Sequence, residues 1–441
     1  MIGDVSVGTH MQEQSEIPWW TLVQRIAFRF CFVYLGLFSL TTQILPSLIP
    51  VVNVEIADPA ELWPIRHIVF WTAAHVFGVT QPLVYQGSGS GDKTFDWVLA
   101  FCLLVAAVWA TGIWSVLDRR RVSYTKLYVW FRVFMRFALA SQMFVYGMSK
   151  AVPLQMPFPH LARLLEPFGR FSPMGVLWYS IGASPAYEIF AGCAEMLGGI
   201  LLIVPCTSML GALVCLADMT QVFALNMTYD VPVKLFSFHL ILMTLFLLAP
   251  DARRLADFFR HRAVEAAREP RLFRSRRANA AALAAQIVFG IGLIGANVFS
   301  SWSSWHTYGG ARPKSLLYGI WDVERMSIDG QLRAPLLTDR DRWRRAIFDS
   351  PDRLVFERAD DSYVGYGAAI DANHKTIALT KTSDKKWRAS FTFARPANER
   401  LTLDGEMDGH TIRVGLRLFD RDQLTLVSRG FHWIQEYPFN R

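Results

Sequence analysis

The sequence predicts a mainly α-helical polytopic membrane bundle of about seven transmembrane helices, followed by a C-terminal all-β antiparallel barrel. The bundle is indicated by composition, because 52% of the 441 residues are hydrophobic and only 19% are charged, which is unusual for a soluble enzyme. It is also indicated by apolar runs that approach the roughly 20 residues needed to cross a bilayer. The barrel is indicated by a change in hydrophobic period, from helical to alternating, after residue 311.

The first 21 residues lack a basic segment and a small-residue cleavage site, so we predict a cytoplasmic tail over 1–21 rather than a removable signal peptide. Residues 22–123 should contain two spans, about 22–44 and 95–117, joined by an interfacial helix on the outer face. We expect Arg25 and Arg29, at the start of the first span, to reach back to the cytoplasmic headgroups. The basic DRRR sequence after the second span places that end in the cytoplasm.

Residues 124–257 form the predicted membrane core. Its four spans are expected at about 127–150, 186–204, 209–227 and 233–248. The segment 151–185 separates the first two of these and contains six prolines. Because proline interrupts helices, this segment is predicted to be an outer cap or re-entrant loop.

Residues 258–303 are predicted to hold a basic cytoplasmic loop and the seventh span. Nine arginines and four acids lie between residues 250 and 278, which favours contact with lipid headgroups over nucleic acid. Seven crossings from a cytoplasmic N-terminus put the C-terminal domain outside. We therefore predict a bacterial inner-membrane protein with an extracytoplasmic C-terminal domain.

Residues 311–441 contain about eight alternating runs, such as HKTIALTKT and KWRASFTFAR. Turn dipeptides punctuate them at Asp329-Gly330, Asp404-Gly405 and Asp408-Gly409, so the pattern predicts antiparallel hairpins that close into a small barrel. The domain resembles the calycin or lipocalin-like group, because GIW opens the first run and Arg429 follows in the last. The resemblance implies that Trp321 packs against Arg429 at the barrel floor.

Ionisable and amide side chains interrupt the apolar runs of the membrane core. Such groups are costly in hydrocarbon and usually face a bundle interior or a cavity, so we predict one polar cavity that opens toward the outer leaflet. We assign catalytic roles to Lys150, Glu195 and His239. The ligand-binding candidates are Tyr146, Glu188, Asp218, Gln221, Asn226, Tyr229, Asp230 and Lys234. No metal site is predicted, since the five cysteines do not occur at metal-ligand spacing.

Each of these residues also has a structural interpretation. Lys150 could reach the outer headgroups or pair with Asp230, and His239 could be a hydrogen-bonded core residue. Glu195 would be protonated or paired at mid-depth. The polar side chains expected to form a stripe on the fifth span could hold helices together.

The membrane core resembles the DoxX family in the sequences YGMSK (146–150), the loop at 155–159, FAGCAEMLGGILL with Glu195, and YDVPVKL (229–235). The resemblance implies a four-helix membrane core, found in some relatives as a subunit of thiosulfate:quinone oxidoreductase or in redox and envelope-stress systems. The core resembles more distantly the horizontally transferred transmembrane fold that includes vitamin K-dependent carboxylases, which would make Lys150 a base. The additional spans and the barrel depart from small DoxX proteins.

Three classes of function remain open, and with them the question of whether the protein is an enzyme. The first is a redox-associated membrane protein that binds a quinone as its cofactor and contacts a redox partner subunit. The second is a carboxylase-like membrane enzyme. The third is a non-catalytic envelope protein that binds lipids, a peptide or another protein. Membrane lipids are expected partners in every case, and nucleic acid is not.

Overall fold

The computed structural model describes residues 20–52, 56–264 and 271–440, so the predicted tail lies almost entirely outside the described residues. The chain divides into two compact units. The first unit comprises Met1–Gly147 and Ala194–Asn297, and the second comprises Met148–Cys193 and Val298–Arg441. We call the first the helical unit and the second the barrel unit.

Twelve α-helices lie in the described part of the chain. They are α1 Leu22–Thr41, α2 Ile44–Ser47, α3 Ile65–His75, α4 Thr94–Leu117, α5 Thr125–Ala151, α6 Pro173–Gly182, α7 Pro185–Ile203, α8 Ser208–Thr228, α9 Lys234–Leu248, α10 Ala252–Phe259, α11 Arg276–Thr307 and α12 Thr425–Ser428. Six helical segments are long and apolar enough to cross a membrane: Leu22–Thr41, Thr94–Leu117, Pro185–Ile203, Pro205–Thr228, Lys234–Phe259 and Arg276–Thr307. The predicted mainly helical membrane fold is confirmed.

Helix α5 is the third span expected from the sequence, but it is not among these six. It has 27 residues, so it is about 40 Å long at 1.5 Å per residue. Every residue from 135 to 144 is buried, because other helices of the helical unit cover this part of α5. A helix that contacts protein rather than lipid can carry Arg132 and Arg136 at a lower overall hydropathy. Its crossing of the membrane stays a prediction.

Small residues allow α5, α7 and α8 to pack closely. A Cβ atom on Gly199 would lie 2.6 Å from Phe144, and one on Gly198 would lie 2.8 Å from Cys215 Sγ. Gly211 similarly faces the backbone of Leu202 at 2.8 Å. Gly198 and Gly199 therefore permit the close approach of α7 to α8 and α5.

Arg29 does not reach the lipid headgroups, contrary to the prediction. Its guanidinium is 2% exposed and donates hydrogen bonds to the Tyr124 hydroxyl (2.7 and 3.0 Å), Ser115 Oγ (2.9 Å) and the Asp118 carbonyl (3.0 Å). The side chain therefore extends toward the α4–α5 connection, but protein groups satisfy it there. Burial of an arginine requires this number of acceptors.

Nine strands form the sheet of the barrel unit, and eight of them close into an antiparallel barrel. They are β1 Gly319–Ile328, β2 Gln331–Leu332, β3 Trp343–Phe348, β4 Arg353–Arg358, β5 Tyr363–Asp371, β6 Thr376–Thr380, β7 Arg388–Ala397, β8 Arg400–Met407 and β9 His410–Leu418. Strands β3 to β9 pair in the order of the sequence, and β1 pairs with both β3 and β9 to close the barrel. The two-residue β2 pairs only with the end of β1. Alternate side chains fill the interior, including Trp321, Phe348, Phe356, Phe391 and Leu403. The predicted barrel is confirmed.

Two of the three predicted turn dipeptides occupy turns. Asp329-Gly330 and Asp408-Gly409 have positive φ at both residues (52° and 80°, 53° and 82°), as a two-residue hairpin turn requires. The prediction for Asp404-Gly405 was wrong, because both residues lie inside β8 and pair with β7 and β9. A Cβ on Gly405 would collide with the Ser390 carbonyl and with Phe391, so close strand approach explains this glycine.

Trp321 is fully buried in the barrel, and its indole Nε1 donates to the Leu317 carbonyl at 2.9 Å. The predicted partner, Arg429, was wrong: it follows α12 rather than lying in the last strand, and it contacts Phe439 and Gln435. Arg395 on β7 instead lies over the Trp321 ring at 5.6 Å. The cation over tryptophan is therefore present in this barrel, but it comes from another strand.

The proline-rich segment packs on the outer surface of the barrel, within the barrel unit. Leu161 is buried with Ile320 of β1 and Ile347 of β3. Asp349 accepts a hydrogen bond from Arg312 (2.9 Å), and one of its carboxylate oxygens lies 3.2 Å from His160 Nδ1. Arg170 donates to the carbonyls of Asp360 and Asp361. The segment therefore contacts the barrel at the β3–β4 connection and at the β4–β5 connection.

Candidate functional site

A polar network lies in the helical unit where α1 ends and α2 begins. The side-chain amide of Gln43 donates to Gln142 Oε1 at 3.0 Å and to the Tyr146 hydroxyl at 2.8 Å. Gln142 is completely buried. The carboxyl groups of Glu195 and Asp58 lie within electrostatic range of the Tyr146 hydroxyl. The site thus brings together two predicted residues, Tyr146 and Glu195, with two amides that the sequence did not single out.

A second polar pair joins α1 to α9. His239 is 2% exposed, and its Nδ1 lies 2.7 Å from the Leu235 carbonyl while its Nε2 lies 2.8 Å from the Tyr34 hydroxyl. In a neutral ring Nδ1 must therefore donate to the carbonyl, so Nε2 accepts the proton of Tyr34. This arrangement fixes the tautomer and gives His239 an acceptor nitrogen directed at a phenol.

Aromatic rings lie between the network and the pair. The Phe38 ring stacks on His239 with centroids 3.9 Å apart and an interplanar angle of 6°. Phe236 contacts Phe38 (6.1 Å) on one side and Tyr146 (6.3 Å) on the other. Hydrogen-bonding groups therefore border a patch of apolar rings at two sides, and we call these residues the polar–aromatic layer: Tyr34, Phe38, Gln43, Gln142, Tyr146, Phe236 and His239.

Lys234 and Asp230 belong to a tight connection at the start of α9. Both oxygens of Asp92 accept backbone N–H groups there, from Lys234 and Leu235, at 2.9 Å each. The Lys234 ammonium lies 2.9 Å from Asp230 and 3.7 Å from Asp92. These contacts satisfy the free N–H groups of the helix end and neutralise the lysine, which gives both residues a structural role.

The polar residues of α8 do not share one environment. Asn226 is buried, and its amide donates to Ser237 Oγ at 3.0 Å on α9. Gln221 is exposed on the surface of the helical unit. Asp218 lies with Glu195 near the Cys215 thiol. Tyr229 follows the last residue of α8, and its N–H donates to the Leu225 carbonyl. Asn226 thus holds two helices together, as the structural interpretation expected.

Lys150 and Glu188 belong to the barrel unit by chain position. Glu188 is completely buried, and one of its oxygens accepts the Met156 N–H at 2.8 Å. Lys150 is buried, with 7% of the residue exposed, and its ammonium lies within electrostatic range of Glu188. The convergence of these two residues with those of the helical unit on one cavity stays a prediction.

Comparison with known proteins gives one informative relative. The chain is 30% identical over 139 residues to the uncharacterized protein YwoB of Bacillus subtilis (strain 168), a match that covers 30% of this chain and 82% of YwoB. The chain belongs to the YwoB family. No family model and no solved structure matches the chain, and most of this YwoB-family chain extends beyond the matched part.

Four polar residues of these contacts in this YwoB-family chain were not predicted from the sequence: Tyr34, Gln43, Gln142 and Asp92. Gln142 carries a signal that could have found it, since it is an amide in the middle of an apolar run. Gln43 lies just beyond the end of α1, where such residues are common, and Tyr34 is an aromatic residue within the apolar run of α1. Asp92 lies in a loop, and its contact with α9, 142 residues away, has no local signal.

Proposed function

We propose that the protein is a DoxX-like component of the bacterial inner membrane whose helical unit binds a quinone headgroup at the polar–aromatic layer. The observation that carries the proposal is the placement of the Phe38 and Phe236 rings between two sets of hydrogen-bonding groups. A quinone has a flat ring that packs on aromatic side chains, and carbonyl oxygens at opposite ends that accept hydrogen bonds. Its isoprenoid tail is soluble in the bilayer, which suits a site within membrane helices.

The two sides of the layer offer different chemistry to such a headgroup. On one side Gln43 and Tyr146 supply an amide and a phenol. On the other side the Tyr34 hydroxyl is hydrogen-bonded to a neutral imidazole nitrogen of His239, so a proton can pass between these two groups. Electrons for any reduction would come from a redox partner subunit, as the DoxX resemblance implies.

The alternative is a non-catalytic protein that binds lipids or another protein, with the outer barrel as the binding domain. Large apolar side chains pack the barrel interior, which disfavours a lipocalin-like carrier of a bulky ligand. A carboxylase-like role for Lys150 receives less support than a structural one, because the buried carboxylate of Glu188 lies within electrostatic range of its ammonium. The quinone proposal is therefore preferred.

The test is a titration of the purified full chain, in mild detergent, with a short-chain ubiquinone. Tyr146→Phe retains the ring and removes one hydrogen bond, which is worth about 1 kcal/mol, so we expect roughly fivefold weaker binding. Tyr187→Phe is the matched control, because Tyr187 is an exposed tyrosine on α7, and it should bind as the original chain does. Quinone that co-purifies from the membrane, identified by mass spectrometry, would support the proposal independently.

Glu195→Gln separates a functional network from a structural one. The nearly isosteric amide should abolish quinone retention with modest loss of stability if Glu195 serves the site. Lower thermal stability with unchanged quinone binding would instead assign Glu195 a packing role. Equal affinity of the original chain, Tyr146→Phe and Glu195→Gln for the quinone would refute the proposed site.

A further inference from the structure

A groove of about 610 Å³ lies in the helical unit between α5 and the first half of α11. The charge pattern of the sequence predicts that this half of α11 is on the cytoplasmic side. The α5 side is formed by Trp130, Val133 and Phe137. The α11 side is formed mainly by alanines, whose short side chains leave the space open: Ala278, Ala281, Ala282 and Ala285. The lining is almost wholly apolar, and the groove lies on the surface of a helix of which only a small part is buried by protein.

Aromatic pairs bound the groove at its two ends. Trp130 contacts Phe273 edge-to-face at 5.7 Å at the end near the basic loop, and Phe137 contacts Phe289 at 5.2 Å at the deeper end. The eleven residue steps from Ala278 to Phe289 correspond to about 16 Å along α11 at 1.5 Å per residue. The groove is therefore long and narrow, runs from the interface into the membrane, and matches a single acyl chain rather than a compact solute.

The interfacial end of the groove is strongly basic. Leu272 and Phe273 line it, and four exposed arginines lie in the same seven residues, namely Arg271, Arg274, Arg276 and Arg277. No ion pair involves any of these four among the residues that the structure describes, and the sequence from 271 to 289 contains no acidic residue. Positive charge that has no ion-pair partner in the described part of the chain attracts anionic lipids at headgroup depth, at about 1 kcal/mol for each basic residue.

We propose that this groove binds one acyl chain of an anionic phospholipid whose phosphate contacts the arginines before and at the start of α11. The apolar length of the groove favours an acyl chain, and the four arginines favour a headgroup with a negative charge. A zwitterionic lipid would fill the groove equally well, but its amine would face the arginines. The site is separate from the polar–aromatic layer and holds whether or not a quinone binds there.

Native mass spectrometry of the full chain tests the proposal, with phosphatidylglycerol and phosphatidylcholine of identical acyl chains added in equal amounts. We expect phosphatidylglycerol adducts to exceed phosphatidylcholine adducts by about tenfold. The double substitution Arg274→Gln and Arg277→Gln should remove this preference. The control, Arg119→Gln with Arg120→Gln, removes the same charge from another basic loop and should keep it.

A second pair of variants tests the groove itself. Ala285→Phe places a ring in the groove and should reduce adducts of both lipids, whereas Ala284→Phe adds the same ring at an exposed neighbour that does not line the groove. Equal adducts of the two lipids on the original chain would overturn the proposal. So would a preference that survives in the Arg274 and Arg277 variant, or equal loss of adducts in the two phenylalanine variants.

Discussion

The interior of the helical unit and the interior of the β-barrel differ in the polar groups that they contain. The helical unit buries Arg29, Gln142 and His239, and each contacts a polar side chain from another helix or connection of the unit. The barrel interior is apolar, and charged strand residues pair on the outside, as in Arg413 with Asp404 (3.0 Å). Where lipid is the surrounding solvent, polar groups gain from facing inward. Where water surrounds the fold, they gain from facing outward.

The prediction with the largest expected effect concerns the side of the membrane on which the barrel lies. Six crossings from a cytoplasmic N-terminus would leave the barrel inside, whereas α5 as a seventh crossing would place it outside. Arg119–Arg121 precede α5, so the positive-inside rule places the start of α5 in the cytoplasm. Alkaline phosphatase fused after Arg441 should therefore be active. An inactive fusion, combined with an active fusion after Leu48, would contradict seven crossings.

The second prediction concerns the apolar core of the barrel. Trp321→Ala removes a fully buried side chain and should destabilise the barrel unit by about 3 to 5 kcal/mol. Trp433 is 91% exposed, so Trp433→Ala should change stability by less than about 0.5 kcal/mol. Urea denaturation followed by β-sheet circular dichroism measures both. Similar losses in the two variants would show that Trp321 is not part of a cooperative core.

The third prediction concerns the polar interior of the helical unit. Arg29→Met removes the donors of four hydrogen bonds and leaves the Asp118 carbonyl and Tyr124 with fewer partners, so we expect a loss of about 3 kcal/mol. Arg25 makes one hydrogen bond, to the Arg121 carbonyl at 2.7 Å, and Arg25→Met should cost less than about 1 kcal/mol. Thermal unfolding in detergent compares them. A larger loss for Arg25→Met would mean that headgroup contact matters more than burial.

Much of the fold could be predicted from the sequence, because it depends on periodic patterns. The limits of α4 and α8 agree with the predicted spans within one residue at each end, and the alternating runs became strands. Contacts between individual side chains were harder to predict. Asp404-Gly405 resembles a turn, but strand register places it inside β8, and register depends on the whole sheet. Arg395 rather than Arg429 covers Trp321 because Arg429 follows α12 and is not part of the sheet.

The candidate site was predicted in part, because intramembrane acids and a histidine are conspicuous in apolar runs. Glu195, Tyr146 and His239 lie in or beside the polar–aromatic layer. Their partners Gln43 and Tyr34 could not be predicted, since pairing depends on how helices distant in sequence are rotated and stacked. The Gln43 amide lies just beyond α1, where polar residues are common, and the Tyr34 phenol lies within an apolar run, where an aromatic side chain gives no sign of a polar contact.

Two carboxyl groups outside the membrane spans extend the comparison to pH. In the helical unit, burial and the neighbouring carboxylates of Glu61 and Asp96 raise the pKa of Asp58 to about 6, although Lys93 acts in the opposite direction. In the barrel unit, burial alone would raise the pKa of Asp349, but His160 and Arg312 outweigh it and hold the pKa below its ordinary value. The two groups should therefore affect stability with opposite signs.

For Asp58 the folded chain favours the protonated form, so its contribution to stability is present below about pH 4 and is lost as pH rises through about 6. Asp58→Asn should raise the melting temperature at pH 7 and leave it unchanged near pH 4, with an effect of about 1 kcal/mol because the group is only half-buried.

For Asp349 the ionised form is favoured, so its contribution is present above about pH 4 and is lost as pH falls through the lowered pKa. Asp349→Asn should therefore lower stability at pH 7 and have less effect near pH 3. Asp341→Asn, at an exposed carboxylate, is the control and should show little change at either pH. Melting curves in detergent between pH 3 and pH 7 measure all three variants, and shifts of the same sign for Asp58→Asn and Asp349→Asn at pH 7 would contradict the difference between the units.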